Sequence, residues 1–216
     1  MRWYEGAGAA RLEHDKQIVA DAQPGLRHSL APDGQMTLQG QFVVRTDSGV
    51  PHSIETRIDF PNDYPTDEPV AHEIGGRFKH DGNHHFSYES DQCCLWLDVA
   101  SPWSPRDPAA LGQFLDQLAV FYHRQLQMEA DPSLPFPGPA AGHGGLGYIE
   151  HLQERWEMSR AALRRMRFAL AGQTNPKARC PCGSGRRYRK CHQGEITRFL
   201  QKANRASVDQ MLELLD

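Results

Sequence analysis

The chain has no run of about 18 apolar residues, so nothing in it reads as a membrane-spanning helix. Its first residues, MRWYEGAGAARLEHDKQ, lack the apolar core of a secretory signal, and the default expectation is a cytoplasmic protein. Cysteine is scarce. The five cysteines fall in two tight clusters, Cys93-Cys94 and Cys180, Cys182 and Cys191. A secreted disulfide framework would spread an even number along the chain, so the clusters point to reactive or metal-binding thiolates instead. Acidic residues are thin in the last third. Residues 1–135 carry 10 Lys+Arg against 20 Asp+Glu, and residues 136–216 carry 14 against 7. A net charge of −3 therefore hides −10 on one part and +7 on the other. Two modules with different partners fit that split. The acidic part is a poor nucleic-acid binder. The basic part could dock an acidic protein or RNA, but aromatic residues suited to base stacking are almost confined there to Tyr188, which makes nucleic acid the weaker expectation.

The period of the apolar residues outlines the elements. Residues 9–31 read as a weakly amphipathic helix and 36–45 as a strand. In 53–60, Ile54, Thr56, Ile58 and Phe60 alternate with polar residues, the mark of a half-buried strand, and Asp47-Ser48-Gly49 between the two strands reads as a hairpin turn. A long Pro-, Asp- and His-rich loop is expected over 61–92. A helix is expected at 108–128, with Leu111, Leu115, Leu118, Phe121 and Tyr122 on one face. The Pro/Gly stretch 132–147 reads as a linker. A second helix is expected from about 148 to 171, and a last helical stretch over 195–215, divided where Ser207 and Gln210 could form a capping box. The expected organisation is an α+β domain over 1–135, a linker and connecting helix over 136–172, and a small module over 173–216.

NPKARCPCGSGRRYRKCH (175–192) is the sharpest motif. Cys180, Cys182, Cys191 and His192 offer three thiolates and an imidazole, a closed tetrahedral shell of the structural zinc type. The segment is too short to bury a core, so Zn2+ would have to supply its folding energy. Lys177, Arg179, Arg186, Arg187, Arg189 and Lys190 make it strongly basic. It closely resembles the SEC-C motif, which binds zinc and mediates protein contacts.

Cys93-Cys94 lies in DQCCLWLDV, after a loop bearing His80, His84 and His85. A thiol nucleophile needs partial exposure, a route to the thiolate and donors for a developing oxyanion, and such a loop could supply them. Buried free cysteines, on the other hand, often act only as small hydrophobes. The neighbouring motifs bear on this choice. FPNDYPTDEP (60–69) resembles the Phe-Pro-x-x-Tyr-Pro-x-x-x-Pro segment of the ubiquitin-conjugating enzymes. Cys94-Leu95 resembles their catalytic Cys-Leu pair and Trp103-Ser104-Pro105 their Trp-Ser-Pro. The resemblance covers roughly residues 9–135. It implies the ubiquitin-conjugating fold: an N-terminal helix, an antiparallel sheet and following helices. It also implies that Cys94 carries an acyl group as a thioester, with Cys93 at an inward-facing position.

The same resemblance implies a separate adenylating, activating enzyme as a partner. The cargo would be the C-terminus of a ubiquitin-like modifier and the acceptor a protein target. Proteins that look like this occur in bacterial operons, including antiviral systems in which a nucleotide cyclase is the conjugated protein. One feature departs from the family. Its His-Pro-Asn triplet aligns with His84-His85-Phe86, so the Asn is replaced by a residue that cannot donate a hydrogen bond. Asn83, His84 or His85 could take the polar role, with nothing in the sequence to select among them, and Asp131 stands about where the family places a carboxylate near the incoming amine. With the Asn missing, a catalytically inactive adaptor that recruits its partner through the basic zinc module is the alternative.

Overall fold

In a computed structural model, residues 2–87, 91–134, 136 and 144–216 are described, and they divide into two compact units. Unit 1 takes in residues 1–95 and 102–137, and unit 2 takes in 96–101 and 138–216.

Unit 1 is α+β. It runs α1 (Ala9–Ala22), β1 (Leu26–Leu30), β2 (Met36–Arg45), β3 (Pro51–Asp59), β4 (Val70–Glu73) and α2 (Ala110–Ala130). The four strands form one antiparallel meander in chain order, with pairings such as Arg27↔Gln39, Leu38↔Ile58 and Ile58↔Ala71. The alternation seen in the sequence sets the faces. Leu38, Phe42 and Val44 from β2 and Ile54, Thr56 and Ile58 from β3 are buried. The stripe Leu111, Phe114, Leu115, Leu118, Phe121, Tyr122 of α2 is buried too, and α2 packs on β2. Each large side chain so buried is worth about 1.5–3 kcal/mol. The Tyr122 hydroxyl meets Thr56 Oγ1 at 2.9 Å, and its ring packs edge-on against Phe42.

The FPNDYP segment is a clamp between elements. Tyr64 is 2% exposed and donates its hydroxyl to buried Asp15 on α1 at 2.7 Å. Arg11 completes the pair, with Nε 2.9 Å from Asp15 Oδ1 and Nη2 2.9 Å from the Tyr64 oxygen. Trp103 Nε1 donates to the Pro65 carbonyl at 2.9 Å, so the Trp-Ser-Pro segment is fastened to the same place.

Unit 2 is helical: α3 (Gly144–Trp156), α4 (Arg160–Leu170), α5 (Gln193–Lys202) and α6 (Arg205–Leu214), with the Cys-rich segment between α4 and α5. Its core joins Tyr148, Ile149 and Leu152 of α3, Leu163, Met166 and Leu170 of α4, Cys180 and Tyr188, and Ile196, Phe199, Val208 and Met211. α3 and α6 touch backbone to backbone at Gly145, where a Cβ would stand 2.3 Å from the Met211 nitrogen. Asp98, in the 96–101 excursion, accepts from the Tyr148 hydroxyl and from the Asn204 amide.

Four expectations are corrected. The helix expected over 9–31 stops at Ala22, because Pro24-Gly25 ends it and β1 follows. Gly25 is where β2 passes closest, since a Cβ there would meet the Gln41 oxygen at 2.3 Å. The loop expected over 61–92 contains β4, whose four residues are too few to show a period. The helix expected over 148–171 breaks at Glu157, which has φ +51, and restarts with Ser159 capping Ala162. The cap of α6 is Asn204, which accepts from the Ala206 and Ser207 amides, while Gln210 bonds the Gly145 amide instead. The hairpin at 47–49 is present, with Gly49 at φ +79. Of the expected linker 132–147, residues 135 and 137–143 lie outside the described residues.

Candidate functional site

Cys93 and Cys94 lie on an extended segment pinned from both sides. The Cys93 amide donates to Ala71 of β4 at 2.8 Å, and the Cys94 amide donates to the His85 carbonyl at 2.9 Å. Phe86 and Cys93 form an antiparallel bridge. Consecutive side chains of such a segment face opposite ways. Cys93 is therefore in the core, 4% exposed, with its sulfur 3.7 Å from the Tyr122 hydroxyl. Burial pushes its thiol far above the ordinary range. Cys94 is half-buried, its sulfur 3.9 Å from the Gln92 carbonyl, and burial pushes it up to about 11.

The loop facing Cys94 is built from buried Glu73, at the end of β4. Its carboxylate accepts from the Gly75 and Arg77 amides and from His80 Nε2, the last at 2.7 Å. The His80 ring packs on Phe86. Asp81 then caps the 3-10 turn Gly82–His84, accepting from the His84 amide at 3.0 Å and meeting His84 Nδ1 at 2.7 Å. Lys79 and His84 outweigh the desolvation of Asp81 and hold its carboxyl well below the usual range. Gln125 of α2 donates to the His84 carbonyl, so the sheet, the loop and the helix meet at one point. His85 follows at φ +56, a left-handed conformation that few non-glycine residues adopt, and its ring stacks on Phe136 at 4.2 Å.

The structure thus brings the His84-His85 pair to the Cys94 segment through backbone hydrogen bonds. Asn83 is exposed on the turn. Phe86 is 1% exposed and packs edge-on against Phe121, so the position aligned with the family's Asn is a core position here. Asp131 caps the end of α2, and its carboxylate accepts from the Ser133 hydroxyl at 2.6 Å and amide at 3.0 Å. Those bonds hold it below the ordinary carboxylate range and make it a weak base.

The sequence gives no hint of the organising roles of Glu73 and Gln125, which depend on partners far along the chain. The Asp81-Gly82-Asn83 turn was open to reading as an Asx cap. Two further histidines of unit 1 are engaged with carboxylates. His80 holds Glu73, as described. His72 stands between Asp91, at 2.7 Å from Nδ1, and Asp59, at 3.3 Å from Nε2. Burial opposes the charge of His72, but the two carboxylates prevail and raise its pKa.

In unit 2, donor atoms of Cys180, Cys182, Cys191 and His192 all lie within 4.8 Å of one another, a cluster that could hold a metal ion. Cys182 and Cys191 sulfurs are 3.7 Å apart, and His192 Nδ1 is 3.3 Å from the sulfurs of Cys180 and Cys191. Metal–sulfur bonds of about 2.3 Å in a tetrahedron give sulfur–sulfur edges of about 3.8 Å, so the donors stand at metal-binding separation. Gly183 and Gly185 take φ +89 and +74 between the ligands, turns that side chains would strain. The Ser184 hydroxyl between them is 3.2 Å from the Cys182 sulfur and 3.3 Å from that of Cys191.

A thiol pushed up to about 11 has a testable signature. Only the thiolate reacts with iodoacetamide, so alkylation of Cys94 should rise about tenfold per pH unit between pH 7 and 10. Peptide mass mapping would follow it, with Cys93 unmodified in the folded chain. A Cys94 rate that levels off below pH 9 would contradict the burial argument.

Comparison with known proteins gives a family match over part of the chain: the SEC-C motif matches residues 177–194. No curated protein matches. Two solved structures similar to the chain are of the Vps23 UEV domain. One is the yeast domain in complex with a Vps27 PSDP peptide, at 17% identity and TM-score 0.37, covering 51% of this chain and 78% of that one. The other is the Vps23 UEV in complex with ubiquitin, at 18% identity and TM-score 0.37, covering 53% and 81%.

Proposed function

We propose that unit 1 is an acyl carrier of the ubiquitin-conjugating type, with Cys94 the atom that is loaded. The observation that supports this most is the pair of consecutive cysteines with opposite burial, the outer one held rigidly against a histidine-bearing loop. In the loading step the Cys94 sulfur attacks the thioester of a separate activating enzyme. A new C–S bond forms, the donor C–S bond breaks, and the departing thiolate takes up a proton in place of the one that Cys94 loses. A thiol near 11 leaves Cys94 as thiolate in only about one molecule in ten thousand at pH 7, but that thiolate is intrinsically the stronger nucleophile. It is also the poorer leaving group, which favours residence of the acyl group on Cys94.

In this reading the cargo is the C-terminus of a ubiquitin-like modifier, or of a nucleotide cyclase in a bacterial antiviral system, and the acceptor is a protein. His84 is the group we assign to proton transfer in the second step. Asp81 at Nδ1 fixes the tautomer in which Nε2 is the acceptor. Asn83 is the exposed amide of the same turn and is assigned to the developing oxyanion. Asp131, weakened as a base by Ser133, is assigned only to orienting an incoming amine.

A second reading has an observation in its favour. The Cys94 thiol is raised by burial, and the aligned Asn position is filled by buried Phe86. An adaptor without chemistry would share both features, and the basic unit 2 would then recruit its partner. The two readings part on one experiment. The full chain is incubated with ATP, the activating enzyme and the modifier, and its intact mass is recorded with and without dithiothreitol. Carrier function predicts a thiol-sensitive mass gain that Cys94→Ala abolishes and Cys93→Ala keeps. No mass gain, or one that survives Cys94→Ala, favours the adaptor.

For the Cys/His cluster we propose Zn2+, bound by Cys180, Cys182, Cys191 and His192, which suits three soft thiolates and an imidazole. The ion would act as a structural cross-link and carry out no reaction. Metal analysis should find about one zinc per chain, and Cys191→Ser should reduce it at least fivefold, with loss of helical circular dichroism as unit 2 loosens. A zinc-free chain with unchanged helicity would rule the proposal out.

A further inference from the structure

Unit 2 contains a half-open cleft of about 390 Å³ that takes no part in the chemistry assigned to Cys94. Its floor and walls come from Val99 and Ala100, from Leu152 and Trp156 of α3, and from Phe199 of α5. Its rim carries Arg155, Arg198 and Lys202, with Glu195 the single carboxylate. Among the described residues none of those three cations stands in an ion pair, although the chain as a whole has more acids than bases. All three are exposed.

Two features narrow the occupant. Arg198 and Lys202 are four residues apart on one helix, so their Cβ atoms lie side by side about 5–6 Å apart, and Arg155 of α3 lines the same cleft. That is a line of charge along an apolar floor, not a point. It suits a chain segment bearing several carboxylates with a large apolar side chain between them. Trp156 is the single aromatic wall on the α3 side, which gives little for a run of stacked bases. We propose that this cleft binds a short acidic peptide segment of a partner protein, anchored by one large apolar side chain.

A ring contact joins the cleft to the Cys/His cluster. The Trp156 ring lies 5.2 Å from the ring of His192, a member of that cluster. Metal binding would thereby hold one wall of the cleft in place. The six basic residues of the Cys-rich segment itself, Lys177, Arg179, Arg186, Arg187, Arg189 and Lys190, do not line the cleft. The site is thus distinct from the general positive charge of that segment, and it does not depend on whether Cys94 is loaded.

The test uses the full chain as purified and a fluorescein-labelled peptide of Asp and Glu residues around a central Leu, read by anisotropy at low salt. The expected result is saturable binding that weakens as salt is added. The charge reversals Arg198→Glu and Lys202→Glu together should weaken it by at least about tenfold. The same peptide with Ala in place of Leu should also bind more weakly. Lys177→Ala with Arg189→Ala should change binding less than about twofold. Circular dichroism checks that both double variants keep their helices, and a Phe199→Ala chain tests the floor without altering charge. The proposal is overturned if no saturable binding occurs, if the Lys177/Arg189 variant loses as much affinity as the cleft variant, or if a single-stranded RNA of equal charge binds the cleft more tightly than the peptide.

Discussion

Two consecutive residues of an extended strand must face opposite sides, and that constraint governs the whole of unit 1's candidate site. The bond from the Cys93 amide to Ala71 and the bond from the Cys94 amide to His85 fix the register. With the register fixed, Cys93 has to enter the core beside Tyr122, and Cys94 has to lie on the other face. A slip of one residue would exchange them. The register in turn rests on β4, because Ala71 lies in the strand that pairs with β3, and on the loop that Glu73 and Asp81 hold in shape. The sheet thus places the thiol, and the His85 carbonyl ties the histidine-bearing loop to the same segment.

The motifs that carry the resemblance to ubiquitin-conjugating enzymes turn out to differ in kind. FPNDYP and the tryptophan of Trp-Ser-Pro are clamps. Tyr64 satisfies the buried Asp15 carboxylate together with Arg11, and Trp103 fastens itself to the Pro65 carbonyl. Removing one partner of a buried charge pair of this sort costs about 3–5 kcal/mol, which is reason enough for such residues in a chain of this fold whether or not it catalyses anything. Cys94 and His84 are different, because neither is needed to fill the core. Phe86 shows the reverse case: its ring packs against Phe121 in the interior, where the sequence resemblance leads one to expect a polar side chain.

Much of the fold was legible from short-range pattern. The alternation of Ile54, Thr56 and Ile58, the stripe Leu111 to Tyr122 and the Gly49 turn each follow from residues within a few positions of one another. What escaped the sequence depends on distant partners or on backbone conformation. β4 is too short to show a period, and Val70–Glu73 is a strand because Ile58 and Thr56 pair with it. The break at Glu157 lies in backbone angles that no apolar pattern reports. The Cys180, Cys182, Cys191, His192 cluster was readable because its ligands are close in sequence, whereas the cleft walled by α3, α5 and residues 99–101 draws on segments about 100 residues apart and was not.

In the proposed carrier function the sulfur of residue 94 is the atom that is acylated. Replacing it with oxygen tests this most directly. Loading of the Cys94→Ser chain with modifier and activating enzyme should yield an ester, slower to form, that resists dithiothreitol and is cleaved by mild base, with the adduct mapped by mass spectrometry to Ser at that position. An adduct that remains sensitive to dithiothreitol in this variant would sit on another cysteine and would rule out Cys94 as the carrier.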